Sequence, residues 1–424
     1  MKDKLIVGYD LGDRYSQISY WTNEGTEPET LSVVAGGESY NIPTLLCKRQ
    51  GVSQWFFGKD ARKRAGQDDG FLIGDLVSLA RAGEPVKVEE EEFDPTALLS
   101  LFVKRSMALL TAACGTDRIE GLMITCEKLD GRMVEILNDV VARLDLKAGH
   151  IYFQGHVESF YYYTIHQSEE LWSRQVMVFE RRKEEVGVYR LECNRRTTPV
   201  VAFVDEEAYP LPDPGKAVEE LTPDESGRMD EQFLEILKTA CEGRLISSAY
   251  LIGEGFDEEW MKESLRYLCR GRRVFQGNNL YSKGACFAMR EKLSASNVGR
   301  THVFLGNEKL KANVGMRLMR QGEESYYALL DAGQSWFDVH AELDFMLVEE
   351  NTFSLIVTPL NGRNVKHATV TLEGLPIRKG AASRLHMEMH MSSETCIEME
   401  IEDRGFGEIF PASHQRWTES FEVE

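Results

Sequence analysis

The hydrophobic pattern of this chain changes its period part-way along, and that change constrains the fold more than any single motif. Up to about Asn307, short apolar runs alternate with stretches that repeat every three to four residues, as strands covered by helices do. Beyond it the side chains alternate two by two. The cleanest case is Leu385, Met387, Met389 and Met391, with His386, Glu388 and His390 between them. An α/β part followed by a separate antiparallel β part is therefore expected. At 424 residues the chain is long enough for two or three such cores.

Composition narrows the partners. Lys and Arg total 49 against 69 Asp and Glu, a net charge of -20. Such a surface repels phosphate backbones and anionic lipid, and the richest basic runs, Arg62 to Arg64 and Arg181 to Lys183, are too short to reverse that. Neither a nucleic-acid nor a membrane partner is expected. No apolar run is read as reaching the ~20 residues of a spanning helix, and the expected location is cytoplasmic. The 8 cysteines are scattered with no CxxC pair, which favours buried free thiols over a zinc site.

Individual elements follow from the pattern. Leu5 to Val7 read as a strand, Gly8, Asp10 and Gly12 as a tight turn, and Gln17 to Trp21 as the returning strand. Further strand is expected over Val33 to Leu46. Asp94 and Pro95 open a helix that Gly115 closes. A strand at Gly121 to Thr125, an amphipathic helix through Met133, Ile136, Leu137, Val140 and Leu144, a strand at Ile151 to Phe153 and a helix from about His156 complete the rhythm. A meander follows over Gln175–Glu180, Val186–Leu191 and Val200–Val204. Next come a helix over about Asp230–Cys241, a strand at Ser248–Ile252, and helices over Asp257–Cys269 and Leu280–Leu293. In the β part, strands are expected at Tyr326–Leu330, Phe337–Phe345, Thr352–Pro359, Lys366–Leu372, Leu385–Met391 and Cys396–Ile401.

Taken in order, these elements resemble the actin-like ATPase fold, and specifically the seventy-kilodalton heat-shock chaperones. Ile6 to Ser16 (IVGYDLGDRYS) is similar to that family's first phosphate loop. NIPTLL and FGKDA within Asn41 to Ala61, the run Met123 to Phe153, and the helix ending Lys283, Gly284, Ala285 and Cys286 follow the same order. Thr369 to Pro376 (TVTLEGLP) and the strands after it resemble the chaperone peptide-binding sandwich.

The resemblance implies a two-lobed α/β fold with ribonuclease-H-like halves, followed by an antiparallel β-sandwich. The implied lobes are 1–165 and 166–302, with a linker at 303–312, a sandwich over 313–424 and no room for a helical lid. It also implies a vestigial cleft for ATP or ADP, lined by Asp10, Gly12, Asp13, Gly253, Gly255 and Asn278. Asp10 would hold Mg²⁺ through water, although a plain turn-forming Asp reads equally well. Asp10 and Gly253 would face each other across the cleft.

The chemistry departs from the family. Asp13 and Arg14 replace the usual threonine pair. In the second hairpin, Glu180, Arg181, Arg182, Lys183, Glu184 and Glu185 stand where Asp-Leu-Gly-Gly-Gly-Thr is usual, so close backbone approach to phosphate is lost. Gly74 to Leu79 lacks the expected lysine, and Gln154, Gly155 and His156 lack the expected carboxylate, Glu158 coming one turn late. Hydrolysis is expected to be lost. The function expected is that of a non-hydrolysing, chaperone-like binding or scaffold protein whose partner is a protein or peptide. The alternatives are an active ATP-dependent heat-shock-type chaperone and an actin-like assembly protein.

Elsewhere, Phe160 to Tyr163 read as interdomain packing. His386 and His390 lie about 13 Å apart along a strand, too far to share a metal. His386 with Glu388 reads more simply as a solvent-facing polar row than as a metal site. The methionine row is either an adaptable peptide surface or, more simply, the inner core of the sandwich.

Overall fold

The computed structural model describes residues 4–22, 25–34, 37–67, 69–215, 220–253, 255–256, 260–277, 279–348, 350–360, 364–376, 382–408 and 410–423. The chain divides into two compact units, Met1–Val303 and Phe304–Glu424.

Two mixed sheets organise the first unit. The first contains β1 (Leu5–Leu11), β2 (Tyr15–Trp21), β3 (Glu29–Thr30), β4 (Ile119–Cys126) and β5 (Ala148–Gly155), side by side in the order β5-β4-β1-β2-β3. The second contains β6 (Gln175–Arg181), β7 (Glu185–Asn194), β8 (Val200–Pro210), β9 (Ile246–Ile252) and β10 (Arg273–Gln276), in the order β10-β9-β6-β7-β8. These five-strand orders correspond one to one, and each sheet carries a sixth strand, Ile42–Pro43 beside β2 in the first and His302–Phe304 beside β8 in the second. Directions repeat as well: β1, β4 and β5 are parallel, as are β6, β9 and β10, while each β-meander is antiparallel.

The register repeats too. Asp10 lies opposite Gln17 across the first hairpin, and Glu180 lies opposite Gly187 across the second. Asp10 and Glu180 are thus equivalent positions, the next-to-last residues of the two central strands.

Helices form where caps and periodicity agree. α1 (Leu76–Ala82) is a short insertion. α2 (Pro95–Cys114) starts on the Asp94 carboxylate, which accepts from Thr96 N at 3.0 Å, and stops at Gly115 with φ 66°. By length and composition α2 is apolar enough to cross a membrane, which the sequence reading did not expect; here Leu98, Leu99, Phe102 and Val103 are buried in the fold. α3 (Gly131–Leu144) buries the five apolar residues its spacing predicts. α4 (His156–Ile165) begins directly after β5, and α5 (Pro223–Cys241) starts on a capping box made by Thr222 and Glu225.

α6 (Leu280–Leu293) packs on β1 and α4 at very short range. A Cβ on Gly284 would meet the Ser159 carbonyl at 2.0 Å, and one on Gly8 would meet the Ser282 carbonyl at 2.1 Å. Ser282 Oγ also bonds Ser19 Oγ at 2.8 Å. Tyr163 of α4 packs edge-on against Tyr250 of β9, so the aromatic run reaches from one half of the unit to the other.

Unit two holds two four-stranded antiparallel sheets among the described residues. One orders β11 (Ala312–Arg320), β12 (Glu323–Leu330), β14 (Thr352–Pro359) and β15 (Lys366–Thr371) as β12-β11-β14-β15. The other orders β13 (His340–Val348), β16 (Ala382–Met391), β17 (Cys396–Asp403) and β18 (Arg416–Glu422) as β13-β16-β17-β18. Their shared core contains Leu385, Met387, Met389 and Met391, so the methionine row faces inward.

Several expectations need correction. Between Val33 and Leu46, where strand interrupted at Gly36, Gly37 and Pro43 was expected, the described residues form strand only at Ile42–Pro43 and from Leu46. The helix expected over Asp257–Cys269 is confined to Glu263–Leu268, with 257–259 outside the described residues. Residues 336–338 form a 3-10 turn, so the strand expected from Phe337 begins at His340. Of the free cysteines, Cys47, Cys126, Cys241 and Cys286 are buried, whereas Cys269 is exposed.

Candidate functional site

The parallel strands of both sheets end at one cleft of about 360 Å³, a volume suited to a small ligand. Asp10, Gly12, Asp13 and Gly253 line it, together with His156, Glu127, Tyr281 and the second hairpin from Glu180 to Lys183. Four of the six residues singled out from sequence therefore converge. Gly255 is not among the lining residues; its carbonyl accepts from Trp260 Nε1 at 2.6 Å. Asn278 lies outside the described residues.

Two of the glycines are required by space. A Cβ on Gly12 would meet the Tyr15 carbonyl at 2.7 Å, within the hairpin itself. Gly253 has φ 97° and would place a Cβ 2.4 Å from the Arg181 carbonyl. Its role is thus to let β9 end against the second hairpin.

Asp10 is buried, and its Oδ1 lies 2.7 Å from His156 Nε2, a geometry in which the imidazole N–H donates to the carboxylate. Being the first residue of α4, His156 is carried to the cleft by the end of β5. Its ring stacks on Tyr281, with centroids 3.9 Å apart and planes 11° from parallel. Burial acts to discharge the imidazole, but the Asp10 carboxylate outweighs it, with help from Glu180 and Glu127, and His156 holds its proton above the usual range.

The equivalent acid in the second half is neutralised in the same manner. Arg182 lies 3.2 Å from Glu180, 3.0 Å from Glu185 and 3.0 Å from Glu127, and also bonds the Tyr189 hydroxyl. Tyr189 in turn donates to Glu180 at 3.1 Å. Burial works against the Arg182 charge, yet the surrounding groups hold its pKa above the ordinary guanidinium value. Arg181, also at the cleft, bonds the Leu211 and Pro212 carbonyls through its guanidinium.

Asp13, expected at a nucleotide, is committed elsewhere. Its Oδ1 accepts from Val77 N at 2.8 Å and Ser78 N at 3.0 Å, capping α1. Magnesium with nucleotide does not fit these residues. Asp10, the residue expected to order the metal's water, already carries an imidazole, and the second hairpin offers paired side chains where a phosphate would need open backbone N–H groups.

Sequence reasoning named His156 only as a departure from a motif, and it missed Glu127, Tyr189 and Tyr281. A histidine at the first position of a helix following a strand end was the available signal. No group of acidic, histidine and cysteine side chains suited to a metal occurs among the described residues. His386 bonds Asp344 at 3.0 Å and Glu388 at 3.2 Å, so it sits within an ion-paired row.

A family model described as "Family of unknown function (DUF5716) C-terminal" matches residues 27–307, well over half of the chain. The chain belongs to that family. A second model, a domain of unknown function (DUF8552), matches residues 309–423. The junction between the two matches lies a few residues beyond the boundary between the compact units. No curated protein matches the chain.

Proposed function

We propose that this chain is a non-hydrolysing relative of the actin-like ATPases with a chaperone-like domain order, acting by binding a protein or peptide. The repeated strand order supports the actin-like part of this reading. So do the matching hairpin registers and the meeting of both central strands at one cleft. One observation carries the loss of chemistry: Asp10 and Glu180, the equivalent strand-end acids, are both paired with cations of the chain itself. A carboxylate so paired has no free charge with which to order a hydrated metal.

Binding is assigned to the second unit more than to the cleft. Its methionines belong to the core, so a partner would meet loops and sheet edges rather than the Leu385–Met391 row. The test of the catalytic half is phosphate release by the full chain with magnesium and ATP, alongside Asp10→Asn. No release above buffer is expected from either protein. Release by the wild type that Asp10→Asn abolishes would refute the reading.

A further inference from the structure

We propose that Arg182 is a built-in bridging cation that stands where a divalent metal would otherwise be needed, joining the two halves of the first unit without a ligand. The inference rests on the non-hydrolysing reading of the cleft, and it goes further by naming what holds the cleft together.

Arg182 lies at the tip of the hairpin between β6 and β7, in the second half. Its terminal nitrogens meet Glu180 and Glu185 of that half at 3.2 and 3.0 Å. They also meet Glu127, which follows β4 in the first half, at 3.0 Å. One planar guanidinium thus gathers carboxylates from both sides, which its fork of donors suits. Gly187, opposite Glu180 in the ladder, lets the Tyr189 ring lie close beside the guanidinium: a Cβ there would sit 3.3 Å from that ring and 3.6 Å from Arg182 Cζ. Glu206 lies close enough to feel the same charges, its carboxyl held above the usual range by burial.

Removing the guanidinium leaves Glu127, Glu180 and Glu185 facing one another around the space it filled. That is an all-oxygen set of the kind calcium and manganese accept. The wild-type chain should ignore these ions, because Arg182 already supplies the charge. A variant without it should lose closure and recover it when a divalent ion enters.

The test is hydrogen exchange over residues 11–15 and 181–187 of the full chain, with and without millimolar calcium or manganese. Arg182→Ala is expected to speed exchange in both hairpins by about tenfold, and added calcium or manganese to restore protection. The wild type should exchange alike with and without the ions. Glu127→Gln, a milder change at an exposed position, should speed exchange by about threefold and decides the matter if Arg182→Ala does not fold. Unchanged exchange in Glu127→Gln, a folded Arg182→Ala that ignores both ions, or a wild type protected by them would each overturn the proposal. Phosphate release by the wild type would defeat the functional reading and leave the exchange comparison to be judged separately.

Discussion

Gly284 shows how much can depend on one missing methyl group. The Ser159 carbonyl lies 2.0 Å from where its Cβ would stand, and that atom is backbone in the neighbouring helix. Gly284→Ala must therefore push α6 away from α4, and with it Tyr281 away from His156. The expected cost is about 1–3 kcal/mol in urea unfolding, and a loss below about 0.5 kcal/mol would contradict the packing described. Asp10, Gly12 and Gly253 were legible as turn and strand-end positions because turn chemistry is local, and as neighbours at one cleft only through the resemblance to the actin-like ATPases. The partner of Asp10 was not, since His156 lies 146 residues away in the sequence and Tyr281, stacked on it, comes from another helix again. A charged pair such as Arg182 and Glu127 leaves no trace in spacing, so the run Glu180 to Glu185 reads as an ordinary charged turn until its neighbours are known. Asp13 lines the cleft as its place in the phosphate-loop pattern implied, and the pattern gave no sign that its carboxylate also caps α1.

At the scale of elements, caps mark boundaries better than hydrophobic periodicity does. α5 was read from Asp230, yet it begins at Pro223, directly after the N-cap Thr222, which forms a capping box with Glu225. Thr222→Ala should cost about 1 kcal/mol, measurable as a lower urea midpoint with an unchanged slope. An unchanged midpoint would show that the cap is not needed. β11 and β18 were missed for different reasons. In β11, Gly315 interrupts the alternation to make room for the Tyr326 ring, which a Cβ would meet at 2.4 Å. β18 pairs only with β17, along one edge, and is largely exposed, so its sequence carries few apolar residues.

The outer face of β16 yields a pH prediction. Burial tends to discharge His386, but hydrogen bonds to Asp344 and Glu388 raise its pKa above the usual value, with Arg404 opposing them. Glu342 and Arg384 are also near, as are Glu402, directly opposite on β17, and Glu400 and Arg416 beside it. A raised folded pKa means that the stabilisation is complete below about pH 6.5 and is lost as pH rises through the folded value. Melting of wild type and His386→Gln should therefore differ most near pH 6 and converge by about pH 9. A gap that widens with rising pH would have the wrong sign.

For the molecule as a whole, the first unit is one topology used twice, with an acid at the same place in each copy. In both copies the neutralising cation belongs to the chain, an imidazole in one and a guanidinium in the other. The division into an α/β part and a β part was legible because hydrophobic period reports secondary structure directly. The inward direction of the methionine row needed the second sheet, since alternation alone shows two faces and does not say what covers the apolar one. Met389 is fully buried, so Met389→Ala should cost about 2–5 kcal/mol, whereas a peptide-facing methionine would be replaced almost freely. At the cleft the two strand-end acids, Asp10 and Glu180, are paired with the chain's own cations, which leaves neither to order a metal-bound triphosphate. Calorimetric titration of the full chain with ATP in millimolar magnesium tests it most directly: the account predicts only heats of dilution, and a saturable one-site isotherm that His156→Gln or Arg182→Ala alters would contradict it.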